Sequence, residues 1–468
     1  MAFLKIINEF HKPNTQSIDL SDSEIHDADV KKLAKALSAN QSITSLDLHQ
    51  NEIEAEGFQE LAETLQFHQS ITLIDLCRNN IKAKGAGVLA ETLKINKNIT
   101  SINLSNNDIG DEGIKALSEV LKESHSITSI NLSWNKITTE GAKILAETLR
   151  INKSITSINL CGNEIGDEGV QAICDVLKIN DTINSINLRG IPISLASAKV
   201  LAEALKANKF ITSINLYGCK IDDKGAKELA DALIINQTIK SIDFSNNTIG
   251  DEGVQALSEA LKINTSITSL NFYLNRIHDK GAKAFANALI RNTSITSLNL
   301  YGNGISDEGV QELADALKVN HSIVSLNLGF CKIGELGAQA LAGALMVNRS
   351  ISSIDLSYNN ISNKGAQALA EALKINPYVM SINLKNNEKV SSNVEIGIQY
   401  NLLENNKKVH QNIKQTAKTL LMAKKKQGTI FSQLPKFVLF KVIAESHQNT
   451  QGKEPNEFIG YMNPRRDI

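Results

Sequence analysis

Leucine or phenylalanine returns every 28 residues along most of this chain, at Leu20, Leu48, Leu76, Leu104, Leu132, Leu160, Leu188, Leu216, Phe244, Phe272, Leu300, Leu328, Leu356 and Leu384. No insertion or deletion interrupts the thirteen steps. A period of this size means stacked units, each burying its apolar face only against its neighbours, which is a solenoid. The 468 residues, long enough for several domains, therefore read as one array of fourteen units plus an appendage. Such an array presents a long surface, so binding rather than chemistry is the first expectation.

One unit explains the rest. Ile43 to Gln69 reads ITSLDLHQNEIEAEGFQELAETLQFHQ. Leu46 and Leu48 alternate with Ser45 and Asp47, the period-two pattern of a short strand buried on one face. Phe58, Leu61, Ala62 and Leu65 then take the spacing of an amphipathic helix. Acidic residues gather at the helix starts, as in Asp111-Glu112 and Asp251-Glu252, where they complement the helix dipole. A glycine comes next in eleven units, from Gly57 to Gly365, and lets the first helical turn approach its neighbour closely. Asparagine ends each helix, read here as a left-handed cap, which accounts for the N-x-S/T matches at Asn40, Asn152, Asn236, Asn264, Asn292, Asn320 and Asn348 without glycosylation.

The L-x-x-L-x-L-x-x-N opening, carried by Ile43, Leu46, Leu48 and Asn51 and repeated fourteen times, resembles the leucine-rich repeat family, specifically its ribonuclease-inhibitor type. NLR receptor repeats and the Ran GTPase-activating protein belong to the same type. The resemblance covers about residues 17–388 and implies an α/β fold: a right-handed βα solenoid shaped as a horseshoe, with parallel strands concave and helices convex. The family's asparagine column runs from Asn51 to Asn387, with Cys219 and Cys331 replacing it in two units. Two units depart: the first has Ser23, and the seventh has Ile191-Pro192 with Ser197 in place of glycine, where a local irregularity is expected.

On the strand face, one column is serine except for Leu73, and the next is entirely Asp or Asn, a ladder able to hydrogen-bond from unit to unit. Variation concentrates in the two positions after the second leucine. These carry Tyr217, Tyr273, Leu274, Tyr301, Phe330 and Tyr358, with the single tryptophan, Trp134, in the same columns upstream. Only 4% of the chain is aromatic, so the clustering is informative. Two readings stand open: anchors of a protein interface, or large side chains filling gaps beside Gly218, Gly302 and Gly329. Asp19, Asp47 and Asp75, with His49 and Arg78, form either an acidic patch or a solvated stretch.

The net charge of −1 gives no field that argues for nucleic acid or membrane. Five cysteines without CxxC pairs, and no signal peptide in MAFLKIINEFHKPN, fit a cytoplasmic, reducing setting. The histidines make no metal spacing and no catalytic motif is present, so neither cofactor nor metal is expected and the chain reads as a monomeric non-enzyme. Abundant Ile, Asn and Lys with near-identical units fit a host-associated bacterium that directs such repeats at host proteins, or a protist.

The expected division is residues 1–16 as an N-terminal cap, 17–388 as repeats, 389–427 as a helical cap and 428–468 as an apolar helix with a polar tail. Within the cap, residues 394–405 and 409–426 read as two helices, and the 28-residue register is lost after Asn387. The segment FSQLPKFVLFKVIA, Phe431 to Ala444, weakly resembles the start of an F-box. The leading expectation is a scaffold gripping a protein partner on its concave face. A small-GTPase regulator similar to the Ran activator is an alternative, although no catalytic residue carries over and that family's acidic tail is basic here. A ubiquitin-ligase adaptor using the F-box-like segment is another.

Overall fold

The computed structural model describes residues 15–423, with side chains to residue 407. The F-box-like segment and most of the N-terminal cap lie outside the described residues. β1 (Ser17–Asp19) leads to α1 (Asp27–Ala39), β2 (Ser45–Asp47) to α2 (Ala55–Leu65), and the alternation continues to β14 (Ser381–Asn383) and α14 (Ser392–Ala423). Every strand is three residues long because only three residues per unit alternate, after which the chain must turn toward its helix.

The described chain divides into two compact units between Ile305 and Ser306. In the first, eleven strands pair in parallel and in chain order, in register from Ser17↔Ser45 to Ser269↔Ser297. In the second, Ser325 pairs with Ser353 and Ser353 with Ser381. Each unit is the expected βα solenoid, with strands on one face and helices on the other. Ile43, Leu46, Leu48, Ile53, Phe58, Leu61 and Leu65 of the second repeat are wholly buried. Each large apolar side chain so buried contributes about 1.5–3 kcal/mol before conformational entropy is subtracted.

The acidic residues at the helix starts do more than sense their own helix. Asp223 Oδ1 accepts from the backbone of the next repeat, Gly250 N at 2.6 Å and Gly253 N at 3.0 Å. Asp251 Oδ1 likewise accepts from His278 N at 2.8 Å and Gly281 N at 2.9 Å. Each carboxylate thus caps the following helix, whose first amides have no partner of their own. At Gly253 the glycine is required: a Cβ would stand 2.7 Å from Asp223 Oδ1 and 2.9 Å from Ile249 Cγ2, and at Gly85, where no acid precedes, the Ile81 Cγ2 alone stands at 2.5 Å. At Ser197, the departure in the seventh repeat, the hydroxyl donates to Asp167 Oδ1 at 2.6 Å. The irregularity is confined to the turn and helix start, since the strand there keeps regular pairing on both sides.

Two expectations need correction. The asparagines that end the helices are extended, not left-handed, as at Asn152 (φ −62°, ψ 134°). They cap by side chain: Asn152 Nδ2 donates to Leu121 O of the preceding repeat at 2.7 Å, and its Oδ1 accepts from Ile155 N at 2.8 Å. The two C-terminal helices are one continuous helix, α14, because no proline interrupts it. After Asn387 one residue is added to the 28-residue step: α14 starts at Ser392, 29 residues after Asn363 starts the preceding helix, and Asn405 stands 29 residues after Asn376. Ile398 and Leu402 of α14 are buried, and Asn405 Nδ2 donates to Leu373 O at 3.1 Å and Asn376 O at 3.0 Å.

Candidate functional site

Each strand ends on Asp or Asn, and this residue shapes the turn after it. Its Oδ1 accepts the backbone N–H two residues on: Asn215 from Tyr217 at 2.9 Å, Asn271 from Tyr273 at 3.1 Å, and Asn299 from Tyr301 at 3.0 Å. The column expected to form a lateral ladder serves chiefly as this turn, with side-chain bonds between repeats at Asn103–Asp75 (2.8 Å) and Asn383–Asp355 (3.1 Å). The next residue is left-handed in all fourteen repeats, with φ between 49° at Phe330 and 76° at Gly190. The asparagine after it locks the turn: Asn247 Nδ2 donates to Leu216 O and Phe244 O, and its Oδ1 accepts from Ile221 N. The left-handed residue is therefore held on a backbone fixed from three sides, while the residue before it is half-buried at Tyr217, Tyr273 and Tyr301 and buried at Ser105, Ser133, Cys161, Ser245 and Ser357.

The left-handed position favours glycine or asparagine, and seven repeats use them: Gly162, Gly190, Gly218, Gly302, Asn106, Asn246 and Asn386. Trp134, Leu274, Phe330 and Tyr358 occupy it instead. Trp134 is 60% exposed, Phe330 55% and Tyr358 42%. Large side chains with φ > 0 cost roughly 1–3 kcal/mol each, and such strain collects at functional positions.

In the first unit, Tyr273 and Tyr301 stack with ring centres 5.1 Å apart, and the Arg189 guanidinium lies 4.2 Å from the Tyr217 ring centre. Beneath them the core is also aromatic, with Phe244 stacked on Phe272 at 5.3 Å and Phe272 edge-on to Phe285 at 5.2 Å. Leu274 is half-buried, its branch lying over Gly302, and Trp134 lies over Gly162 with its indole N–H toward Cys161. For these two residues, filling beside a small neighbour is part of the geometry. In the second unit, Phe330 and Tyr358 meet edge-to-face at 6.2 Å. Arg189 escaped the sequence reading; as the one arginine in its column, it was the available signal.

Burial pushes the Asp243 carboxyl above its usual range, against the Ser245 hydrogen bonds and the Arg189 charge. Asp75 is raised likewise by burial, while the Ser21 hydroxyl holds Asp19 low. In that N-terminal stretch His49 Nδ1 meets Asp47 Oδ1 at 2.9 Å, and Arg78 donates to Gln50 Oε1 at 3.1 Å. The carboxylates of Asp27, Glu54 and Glu56 converge on the helix side, but Glu56 pairs with Lys84 at 2.6 Å and Asp27 caps Glu54 N at 2.9 Å. The five cysteines are free, and burial pushes the thiols of Cys174 and Cys219 up to about 12. Asn152, Asn236, Asn264, Asn292, Asn320 and Asn348 are buried, which removes them as glycan acceptors. Among the described residues, no helix is long and apolar enough to cross a membrane.

A family model described as the NLRC3 LRR domain matches residues 61–424, and one described as Leucine Rich repeat matches residues 39–62. No curated protein matches the chain. Among solved structures, an internalin from Listeria monocytogenes is similar at 18% identity, covering 75% of this chain and 76% of that one with a TM-score of 0.39. The Rad7 and Elc1 complex of yeast gives 18% identity, 78% and 90% coverage and a TM-score of 0.48. Leiomodin-1 actin-binding site 2 gives 19%, 47% and 95%, and 0.25. With fourteen strand–helix units among the described residues and a family model spanning most of its length, the chain belongs to the leucine-rich repeat family, in the group described as the NLRC3 LRR domain.

Proposed function

We propose that this leucine-rich repeat array is a non-enzymatic scaffold that binds a protein partner on its strand face. Arg189, Tyr217, Tyr273, Leu274 and Tyr301 form one contact cluster in the first unit, Phe330 and Tyr358 a second in the other, and Trp134 stands as a separate anchor. The observation that carries this reading is the placing of exposed Trp134, Phe330 and Tyr358 at left-handed positions where glycine serves elsewhere. A fold selected for stability alone gains little from them, whereas an interface gains rigid aromatic anchors. The stacked tyrosines are preorganised by their Asx turns, so little side-chain freedom is lost on binding.

The test is quantitative capture from cell lysates, comparing the intact chain with one in which Tyr217, Tyr273 and Tyr301 are alanine, and then titration of the captured protein. Each alanine is expected to weaken that partner by about 1–2 kcal/mol with the fold intact. Equal affinity for both chains, and for one in which Trp134, Phe330 and Tyr358 are alanine, refutes the strand-face reading.

A further inference from the structure

We propose that the buried His68 is an acid-operated latch on the N-terminal repeats: its neutral ring joins the second repeat to the first, and protonation of that ring parts them. The position belongs to the helix-ending column, which is asparagine in eleven of the first thirteen repeats, with His68 and Ser124 as the departures. In the third repeat Asn96 shows what the column does. Its Oδ1 accepts from Asn98 N at 2.8 Å and Ile99 N at 3.3 Å, and its Nδ2 donates to Leu65 O at 2.6 Å and His68 O at 3.0 Å in the repeat before. His68 copies both halves with its two ring nitrogens. Nδ1 faces Ser70 N at 3.4 Å and Ile71 N at 3.3 Å, while Nε2 meets Asn40 O of the first repeat at 3.0 Å. A carbonyl oxygen only accepts and an amide only donates, so the surroundings put the proton on Nε2 and leave Nδ1 as the acceptor.

Acid removes that acceptor. The imidazolium carries a proton on both nitrogens, so Nδ1–H points at two amide donors. His68 and Ile71 are wholly buried, and water cannot supply the missing acceptor. Asparagine has no proton to gain and keeps its contacts. No charged group offsets the change. The ionisable residues at the flanking helix ends, Lys35 on α1, Glu63 on α2, and Glu91, Lys94 and Lys97 on and after α3 (Lys82–Ile95), are all exposed. The turns that close round the ring, residues 40–44 and 69–72, hold no ionisable side chain. Burial, opposed only by the Asn40 carbonyl, holds the ring below its ordinary 6.5. A ring that takes its proton less readily in the folded chain than in the unfolded one costs nothing at neutral pH and costs stability progressively as pH falls below 6.5. Because Asn96 holds the His68 carbonyl, the third repeat shares the disturbance.

Spectra of the intact chain 15N-labelled at its nine histidines test the tautomer, with His68→Asn assigning the signal. At pH 7.5 the His68 Nδ1 is expected to be the unprotonated nitrogen, and a proton found there overturns the latch. Hydrogen exchange is then compared at pH 7.5 and pH 5, corrected for the intrinsic pH dependence of exchange. Measured against Asn98 and Ile99, the amides of Ser70 and Ile71 are expected to lose protection about 10-fold in acid, the worth of one or two net hydrogen bonds. His68→Asn installs the column's own residue, so it is expected to fold and to lose that response. An equal response in both chains, or none in the parent, overturns the latch. These outcomes need no captured partner and leave the strand-face reading to its own test.

Discussion

Removing the Asp223 carboxylate is the sharpest test of how the repeats hold together. Its Oδ1 accepts two backbone amides of the next repeat, at 2.6 Å from Gly250 and 3.0 Å from Gly253. A hydrogen bond to a charged group is worth about 1.5–3 kcal/mol when its loss leaves a buried partner bare. Gly250 and Asp223 are only partly buried, so water recovers some of the loss. Loss of a single helix cap costs about 0.5–2 kcal/mol. Two amides sharing one acceptor place Asp223→Ala at about 2 kcal/mol. The assay is urea unfolding read by far-ultraviolet circular dichroism, with exposed Lys224→Ala as the control, expected within about 0.5 kcal/mol of the parent. Because stability in a stacked array is a sum of repeat and nearest-neighbour terms, the defect also loosens the local amides. Hydrogen exchange should therefore quicken in the helix Asp251–Leu261 first. A loss no larger than that of the lysine control refutes the forward cap.

Asp243→Asn should raise the urea midpoint at neutral pH: a carboxyl raised by burial contributes stability below its ordinary 3.8 that is lost as pH rises, so the gain should vanish as pH falls toward that value. Ser197→Ala should do the reverse. The Ser197 hydroxyl, then that of Ser194, holds Asp167 below its ordinary 3.8, so the wild-type advantage exists above that value and fades as pH falls through the lowered one; paired urea curves at pH 7 and pH 3 check it. Gly162→Ala should cost about 1–2 kcal/mol for an L-residue at φ 66° and should displace the Trp134 ring, which a shift in the emission of the single tryptophan reports; unchanged emission contradicts the packing.

The period of 28 dictated nearly all of the fold, because strand and helix patterns are local and each repeat copies the last. The features that escaped the sequence depend on contacts between residues 26 to 31 apart. The forward cap from Asp223 to Gly250 and the side-chain cap from Asn152 to Leu121 both cross to a neighbouring repeat. Read within one helix, Asn152 looked like a left-handed stop, and Asp251 like a partner of its own dipole. Trp134, Tyr217, Tyr273, Leu274, Tyr301, Phe330 and Tyr358 were legible as the variable columns. The backbone sign that makes four of them strained was not, because leucine and phenylalanine give no local signal for positive φ. Arg189 became significant only once its guanidinium was seen over Tyr217.

The carboxylates also give the array a direction. Asp27 serves Glu54, Asp223 serves Gly250, and Asn363 Oδ1 still accepts from Ser391 N at 2.7 Å just before α14. Through these acceptors, support passes from one repeat to the one after it, except where Ala55, Ala83 and Leu195 take the position. Trimming repeats from the C-terminal side strands an acid that water readily solvates. Trimming from the N-terminal side strips the next helix of its acceptor and leaves its first amides bare. The two ends of such an array tolerate shortening unequally.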